Sequence, residues 1–163
     1  AFLLPVLHRL NKLPWRWKII GETEGNGELA KTFQRRARHL GLKERIDIAG
    51  PLPPESVPAA LAEADLFLFP SRFESYGMAL AEALSAGVPA VAGRVGGTEE
   101  VCHGRKGALL IDPKDSQEWT DTLGQLLEDK QARSQLTSAA RHSPLDFPDW
   151  KESAEILYSA LEE

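Results

Sequence analysis

Between Pro70 and Ala83 the chain reads Pro-Ser-Arg-Phe-Glu-Ser-Tyr-Gly-Met-Ala-Leu-Ala-Glu-Ala. Two carboxylates, Glu74 and Glu82, bracket Gly77 where an apolar run gives way to helix-forming residues. A helix start offers N–H groups without intrahelical partners and a partial positive charge. Gly77 lets a diphosphate approach those N–H groups closely, so Gly77 and Met78 form an anion site built from backbone. Glu82 follows Gly77 by roughly 7 to 8 Å along a helix axis. A carboxylate there can accept two hydrogen bonds from a ribose diol, and Glu74 can hold sugar hydroxyls beyond the phosphates. Glutamates at such spacing are ordinarily solvated surface. Against that reading, Glu82 sits among Ala79, Leu80, Ala81, Ala83 and Leu84, and a second Gly-rich loop, 93–97, leads into Glu99 and Glu100.

Other residues read as structural. Cys102-His103 has no second ligand or base within sequence reach. His8 and His142 read as surface, Trp15 and Trp17 as packing, Trp119 and Trp150 as core positions on helix stripes. Glu22 and Glu24 read as solvated acids in a Gly-containing loop.

These residues need a scaffold, and the hydrophobic periodicity outlines one. Helices are expected at 4–13, from about Leu29 to Leu40 with Gly41 as stop, at 57–64, and at 78–86 with Gly87 as stop. Thr98 is expected to cap a short helix through Val101. Strands are expected at 17–21, 46–50, 66–69, 88–92 and 108–111. Leu66 to Phe69, ended by Pro70, has the pattern of a strand buried on both faces. Asp115 with Glu118 three residues on reads as a capping box, with Trp119, Leu123, Leu126 and Leu127 as the buried stripe. Helices then cover 131–141 and the amphipathic tail from Asp149 to Leu161, with 143–148 as a joint. Strands alternating with helices imply right-handed crossovers and a parallel sheet flanked by helices. Ligands of such sheets bind beyond the carboxyl ends of the strands. Four ends are visible here: after Gly21, Gly50, Pro70 and Gly93.

The 163 residues suit one domain, and a composition 42% hydrophobic and 26% charged supports a core. A net charge of −5 gives no basic footprint, so nucleic acid is not an expected partner. A single cysteine excludes an internal disulfide framework and a cysteine-based zinc site, and fits a reducing, cytoplasmic setting. The apolar start Ala1 to Leu7 lacks the flanks of a signal peptide, and His8, Arg9 and Lys12 interrupt it too soon for a membrane span. The chain opens without Met, which reads as a fragment of a longer protein.

The ordered series Phe67-Leu68-Phe69-Pro70-Ser71, Glu74, Glu82-Ala83-Leu84-Ser85-Ala86-Gly87-Val88-Pro89 and Gly96-Gly97-Thr98-Glu99-Glu100-Val101 resembles the C-terminal domain of family 4 GT-B glycosyltransferases. Glu74 and Glu82 match that family's two glutamates separated by seven residues. Ile20-Gly21, 46–50, 107–113 and 147–150 continue the match along nearly the whole chain. The resemblance implies an α/β, Rossmann-like parallel sheet with a helical C-terminal tail, forming one nucleotide-sugar-binding domain over 1–163. It implies a retaining glycosyltransferase whose donor is a nucleoside diphosphate sugar, without cofactor or metal. Glu74 would hold donor sugar hydroxyls as the catalytic-site acid, the Gly77-Met78 backbone the phosphate, and Glu82 the ribose. Pro51-Leu52 would contact the base through backbone, with the Gly21 loop shaping the donor pocket.

Two departures stand out. The family's domain begins with a central strand ending in Gly-Arg, followed by Lys-Gly, whose cations neutralise the diphosphate; this chain begins after them. Arg16 and Lys18 do not match that motif, whereas Arg72 and Arg94, in loops near the site, are candidates for partial compensation. Without that strand, its two neighbours either pair directly or leave a slot. The acceptor-binding N-terminal domain is absent as well, so the chain is expected to be inactive alone; membrane contact is left open. Two alternatives keep the fold: a non-catalytic nucleotide-sugar-binding or interaction module, and a nucleotide-sugar epimerase-like domain. The spacing of Glu74 and Glu82 favours the transferase over the epimerase.

Overall fold

The computed structural model describes residues 2–21, 27–104, 106–142 and 150–161. The readings made for Glu22, Glu24, 143–149 and the Trp150 side chain lie outside the described residues and side chains. Helices α1 (Leu3–Arg9), α2 (Gly27–His39), α3 (Val57–Ala62), α4 (Met78–Ser85), α5 (Gly96–Val101), α6 (Ser116–Glu128), α7 (Lys130–Arg141) and α8 (Trp150–Leu161) accompany five strands. The strands are β1 (Trp17–Ile20), β2 (Ile46–Gly50), β3 (Phe67–Phe69), β4 (Ala90–Gly93) and β5 (Ala108–Ile111). Every described pairing is parallel, in an α/β arrangement matching the expected class.

The strands form two ladders, β1-β2 and β3-β4-β5, rather than one sheet. β1 and β3 therefore do not pair, which answers the alternative posed by the sequence in favour of a seam. The ladders still share an apolar core. Leu3, Leu4, Val6 and Leu7 of α1 and Trp119, Leu123 and Leu126 of α6 bury with Val91 and Ile111. Trp17, Ile46, Leu66 and Leu68 pack against the same cluster. Ala90 and Ala92 point to the opposite layer, where Leu80, Ala81 and Leu84 of α4 meet Val101, Cys102 and Ala140. The period-2 alternation of β4 thus fills both faces, and the whole strand is buried.

β3 departs from expectation. Its three residues are all half-buried, although the run was read as buried on both faces. It is the edge strand of its ladder, and an edge leaves one flank uncovered. The first helix ends at Arg9 rather than reaching Leu13. The turns that follow close with i→i−3 bonds instead: Leu10 N–H donates to the Leu7 carbonyl, Asn11 N–H to His8 and Leu13 N–H to Leu10, and beyond them Trp15 Nε1 donates to the Leu10 carbonyl (2.9 Å) and the Arg45 guanidinium to those of Asn11 and Leu13. Pro14 also disfavours helical geometry at Leu13.

The acidic caps follow the sequence closely. Asp115 Oδ1 accepts from the N–H groups of Gln117 and Glu118, both at 2.9 Å. The return bond differs: Glu118 Oε2 accepts from Asp112 N–H (3.2 Å), because Asp115 N–H is held by the Asp112 carbonyl. Asp129 caps α7 in the same way through Gln131 and Ala132. α4 closes with Gly87 N–H donating to Leu84 and Val88 N–H to Ala83, the paired bonds that satisfy terminal carbonyls. On α8, Leu157, Tyr158 and Leu161 are exposed, so the amphipathic tail leaves these apolar residues uncovered.

Candidate functional site

Pro70 ends β3 because it carries no N–H for a ladder. The chain then folds tightly on itself. Ser71 Oγ donates to the Phe73 carbonyl at 2.7 Å. Glu74 Oε1 accepts from the N–H groups of Ser75 and Tyr76 at 3.1 and 3.3 Å, which orients the carboxylate and leaves Oε2 without a hydrogen bond among the described residues. Gly77 precedes α4 with φ of 92°, a left-handed conformation that suits glycine, and no side chain caps the helix. The first helical bond runs from Ala81 N–H to the Gly77 carbonyl (2.9 Å). The N–H groups of Met78, Ala79 and Leu80 thus precede the ladder. Met78 is 62% exposed, so the helix start is open to solvent.

A second loop fastens this one. Gly97 N–H donates to the Glu74 carbonyl at 3.1 Å. A Cβ on Gly97 would stand 2.5 Å from the Tyr76 backbone nitrogen, so only glycine allows the two loops to touch. Thr98 is fully buried. Its Oγ1 accepts from Val95 N–H (3.0 Å) and lies 2.6 Å from the Gly93 carbonyl and 2.7 Å from that of Val95. The expectation that Thr98 is the cap is corrected. α5 begins two residues earlier, at Gly96, with Val95 in the cap position and Thr98 reaching back from the first turn. Sequence reasoning missed this Gly97–Glu74 clasp and the buried Thr98 anchor. The signal for both was present in Gly96-Gly97-Thr98, where a close approach and a short polar side chain follow one another.

The remaining candidates fall into two groups. Glu82, one turn beyond Met78 on α4, is exposed, and its carboxylate has no hydrogen bond or ion pair among the described residues. Gly21 and Leu52 follow β1 and β2, and Gly21 N–H donates to the Gly50 carbonyl at 2.9 Å, joining those two strand exits. The structure thus brings Glu74, Gly77 and Met78 together with Gly96-Gly97. Gly21 and Leu52 stand on the other ladder, and no hydrogen bond or ion pair among the described residues links them to Glu74 or Glu82. Arg72 lies over the Phe2 ring, 5.6 Å from its centroid. Arg94 is turned to β5 through Nη2 to the Leu110 carbonyl at 2.7 Å.

Two open grooves lie elsewhere, one of about 560 Å³ between α1 and α6 and one of about 380 Å³ beside α7. Neither is lined by any of the six candidate residues. Among the described residues no three His, Cys, Asp or Glu side chains gather as a metal site. No described helix is long and apolar enough to cross a membrane.

Relatives sharpen this picture. The chain is 34% identical over 153 residues to the D-inositol 3-phosphate glycosyltransferase of Corynebacterium urealyticum, covering 93% of this chain and 36% of the relative. It is 35% identical over 134 residues to the GDP-mannose-dependent alpha-(1-6)-phosphatidylinositol monomannoside mannosyltransferase of Mycolicibacterium smegmatis, covering 78% of this chain and 35% of that protein. Among solved structures, Anabaena HepE in complex with UDP superposes with a TM-score of 0.76 at 26% identity, over 86% of this chain and 38% of that one. The chain spans about a third of the length of these relatives. The glycosyl transferases group 1 model matches residues 2–143, and with this fold and these relatives the chain belongs to that family of GT-B glycosyltransferases.

Proposed function

We propose that residues 1–163 form a single donor-binding domain of a retaining glycosyltransferase, which takes its sugar from a nucleoside diphosphate sugar. The acceptor is held by a second domain outside this chain, and the chain by itself does not turn over. The observation that carries this reading is the arrangement around α4. An uncapped helix start at Gly77-Met78 lies between Glu74, whose carboxylate is already oriented by two N–H groups, and Glu82, whose carboxylate is unengaged. The diphosphate binds the N–H groups of the first turn. Glu82 accepts from the ribose hydroxyls, and Glu74 Oε2 accepts from hydroxyls of the transferred sugar. Leu52 contacts the base through backbone, and the Gly21 loop shapes the donor pocket.

In the reaction the bond between the anomeric carbon and the diphosphate oxygen breaks, and charge builds on the departing diphosphate. N–H groups fixed beforehand stabilise that charge without reorganising, and Glu74 holds the sugar in line. No step needs a metal, and the setting is cytoplasmic. The names of the relatives support a nucleotide-sugar donor without choosing its base, since one structure holds UDP and one relative is GDP-mannose-dependent.

Titrating UDP-glucose and GDP-mannose into the purified chain tests the reading. Saturable binding of one donor is expected, weakened roughly tenfold or more in Glu82→Ala, because two hydrogen bonds to a charged group are lost. EDTA should leave that binding unchanged. No binding of either donor at millimolar concentration would overturn the proposal and leave a non-catalytic interaction module. Donor hydrolysis by the isolated chain would contradict its inactivity.

A further inference from the structure

The charge of the chain is unevenly distributed. Residues 31–45 hold six lysines or arginines and one acid, a net of +5 within a chain of net −5, so the remaining residues carry −10. Two of the six cations are already engaged. Lys43 pairs with Glu44 at 3.7 Å. The Arg45 guanidinium lies over the Trp15 ring, 4.3 Å from its centroid, and donates to the Asn11 and Leu13 carbonyls. The other four, Lys31, Arg35, Arg36 and Arg38, stand on α2, all exposed and none in an ion pair among the described residues.

The helix fixes where they stand. Ala37 is buried, and Phe33 and Leu40 pack against the core, so these positions define the inner face of α2. Lys31, Arg35 and Arg38 follow at i, i+4 and i+7 on the opposite face, a row roughly 10 Å long. Arg35 Nη2 donates to Thr32 Oγ1 at 3.2 Å, which keeps that guanidinium along the helix surface. Glu28, the one acid of the helix, stands a turn before Lys31 without pairing with it. Leu29, 67% exposed, lies with Arg36 on the flank of the row. The outward face of a packed helix is convex, and no α2 residue lines either groove.

We propose that this face of α2 docks the domain onto a bilayer surface rich in anionic phospholipid. The negative potential of such a surface attracts each nearby cation, and four on one helix act together. The acidic remainder of the chain is repelled by the same surface, so the two effects orient the domain with α2 against the lipid. Leu29 supplies an apolar contact at the headgroup boundary, which a nucleic acid would not reward. The helix also lacks what a single strand needs. Phe33, its one aromatic residue, is half-buried and engaged with Trp17, ring centroids 6.0 Å apart, so it offers no open ring on which bases could stack. None of these residues belongs to the candidate donor site, and the proposal does not depend on that reading.

The test is co-sedimentation of the full chain with vesicles of phosphatidylcholine alone and of an equimolar mixture with phosphatidylglycerol. Binding is expected to the mixed vesicles at low salt, falling as salt rises, and not to phosphatidylcholine alone. Replacing Lys31, Arg35 and Arg38 together by Glu should weaken it about tenfold or more. The same change at Lys106, Lys114 and Lys151, exposed cations elsewhere, should weaken it far less. The milder triple replacement of Lys31, Arg35 and Arg38 by Gln should give an intermediate loss with an unchanged melting temperature, which separates lost charge from an unfolded helix. No binding to the mixed vesicles at low salt overturns the proposal. So does an equal loss in the two Glu variants, since net charge rather than this face would then be acting. Retention on single-stranded RNA but not on the mixed vesicles also overturns it and assigns the face to nucleic acid.

Discussion

Gly97 N–H donates to the Glu74 carbonyl at 3.1 Å, so the loop that carries the candidate sugar-binding acid is tied to the first turn of α5. Glu74 is thereby fixed at both ends, by this bond on its carbonyl and by two N–H groups on its carboxylate.

Adding a methyl group at Gly97 should break the clasp. The new Cβ would lie 2.5 to 2.6 Å from the Tyr76 backbone, which has no rotamer to retreat into. Gly97→Ala is expected to cost about 1–3 kcal/mol through overpacking, and to weaken donor binding by displacing Glu74. Thermal melting and donor titration check the two effects; unchanged values in both would show that the loops are not in contact.

Thr98 offers a cleaner test of the second loop. Replacing its buried hydroxyl with a methyl group leaves the Val95 N–H and the Gly93 carbonyl short of a partner. Thr98→Val should lose about 1–3 kcal/mol by denaturant unfolding, whereas Thr98→Ser should retain most of the stability. Equal losses in the two variants would point to packing rather than hydrogen bonding.

The acidic caps should behave independently of the site. Asp115→Ala leaves the N–H groups of Gln117 and Glu118 unpaired at the start of α6. The expected cost is about 0.5–2 kcal/mol, with donor affinity unchanged. A change in affinity without a change in melting temperature would contradict this.

Hydrogen exchange should map the seam. β4 pairs on both sides, so its amides are expected to exchange slowly throughout. β1 and β3 each pair on one side only, so protected and fast-exchanging amides should alternate along 17–20 and 67–69. Uniform protection of both edge strands in the monomer would mean that the seam is closed in solution.

Much of this architecture was legible because it is local. Asp115 precedes α6 by the spacing a cap needs, and Gly87 follows α4 where the chain must turn. Val91 alternating with Ala90 and Ala92 marks a strand buried on both faces. What the sequence misjudged depends on distant partners. Leu66 to Phe69 carries the composition of a central strand, and only pairing reveals that β3 is an edge. After α1 the turns tighten to i→i−3 bonds, and the carbonyls of Asn11 and Leu13 find their donor in Arg45, more than thirty residues away. At the site, the residue types and order around Gly77 were readable. The clasp between Gly97 and Glu74 was not, because it joins the exits of two different strands.

The gap between β1 and β3 also divides the proposed donor contacts. Leu52, assigned to the base, and Gly21, assigned to the shape of the pocket, belong to one hydrogen-bonded network, and the residues assigned to phosphate and sugar belong to the other. A ligand gripping both would rivet the halves together. Its affinity would then be paid back as rigidity, and occupancy of the cleft would govern how firmly this fold resists opening along its own midline.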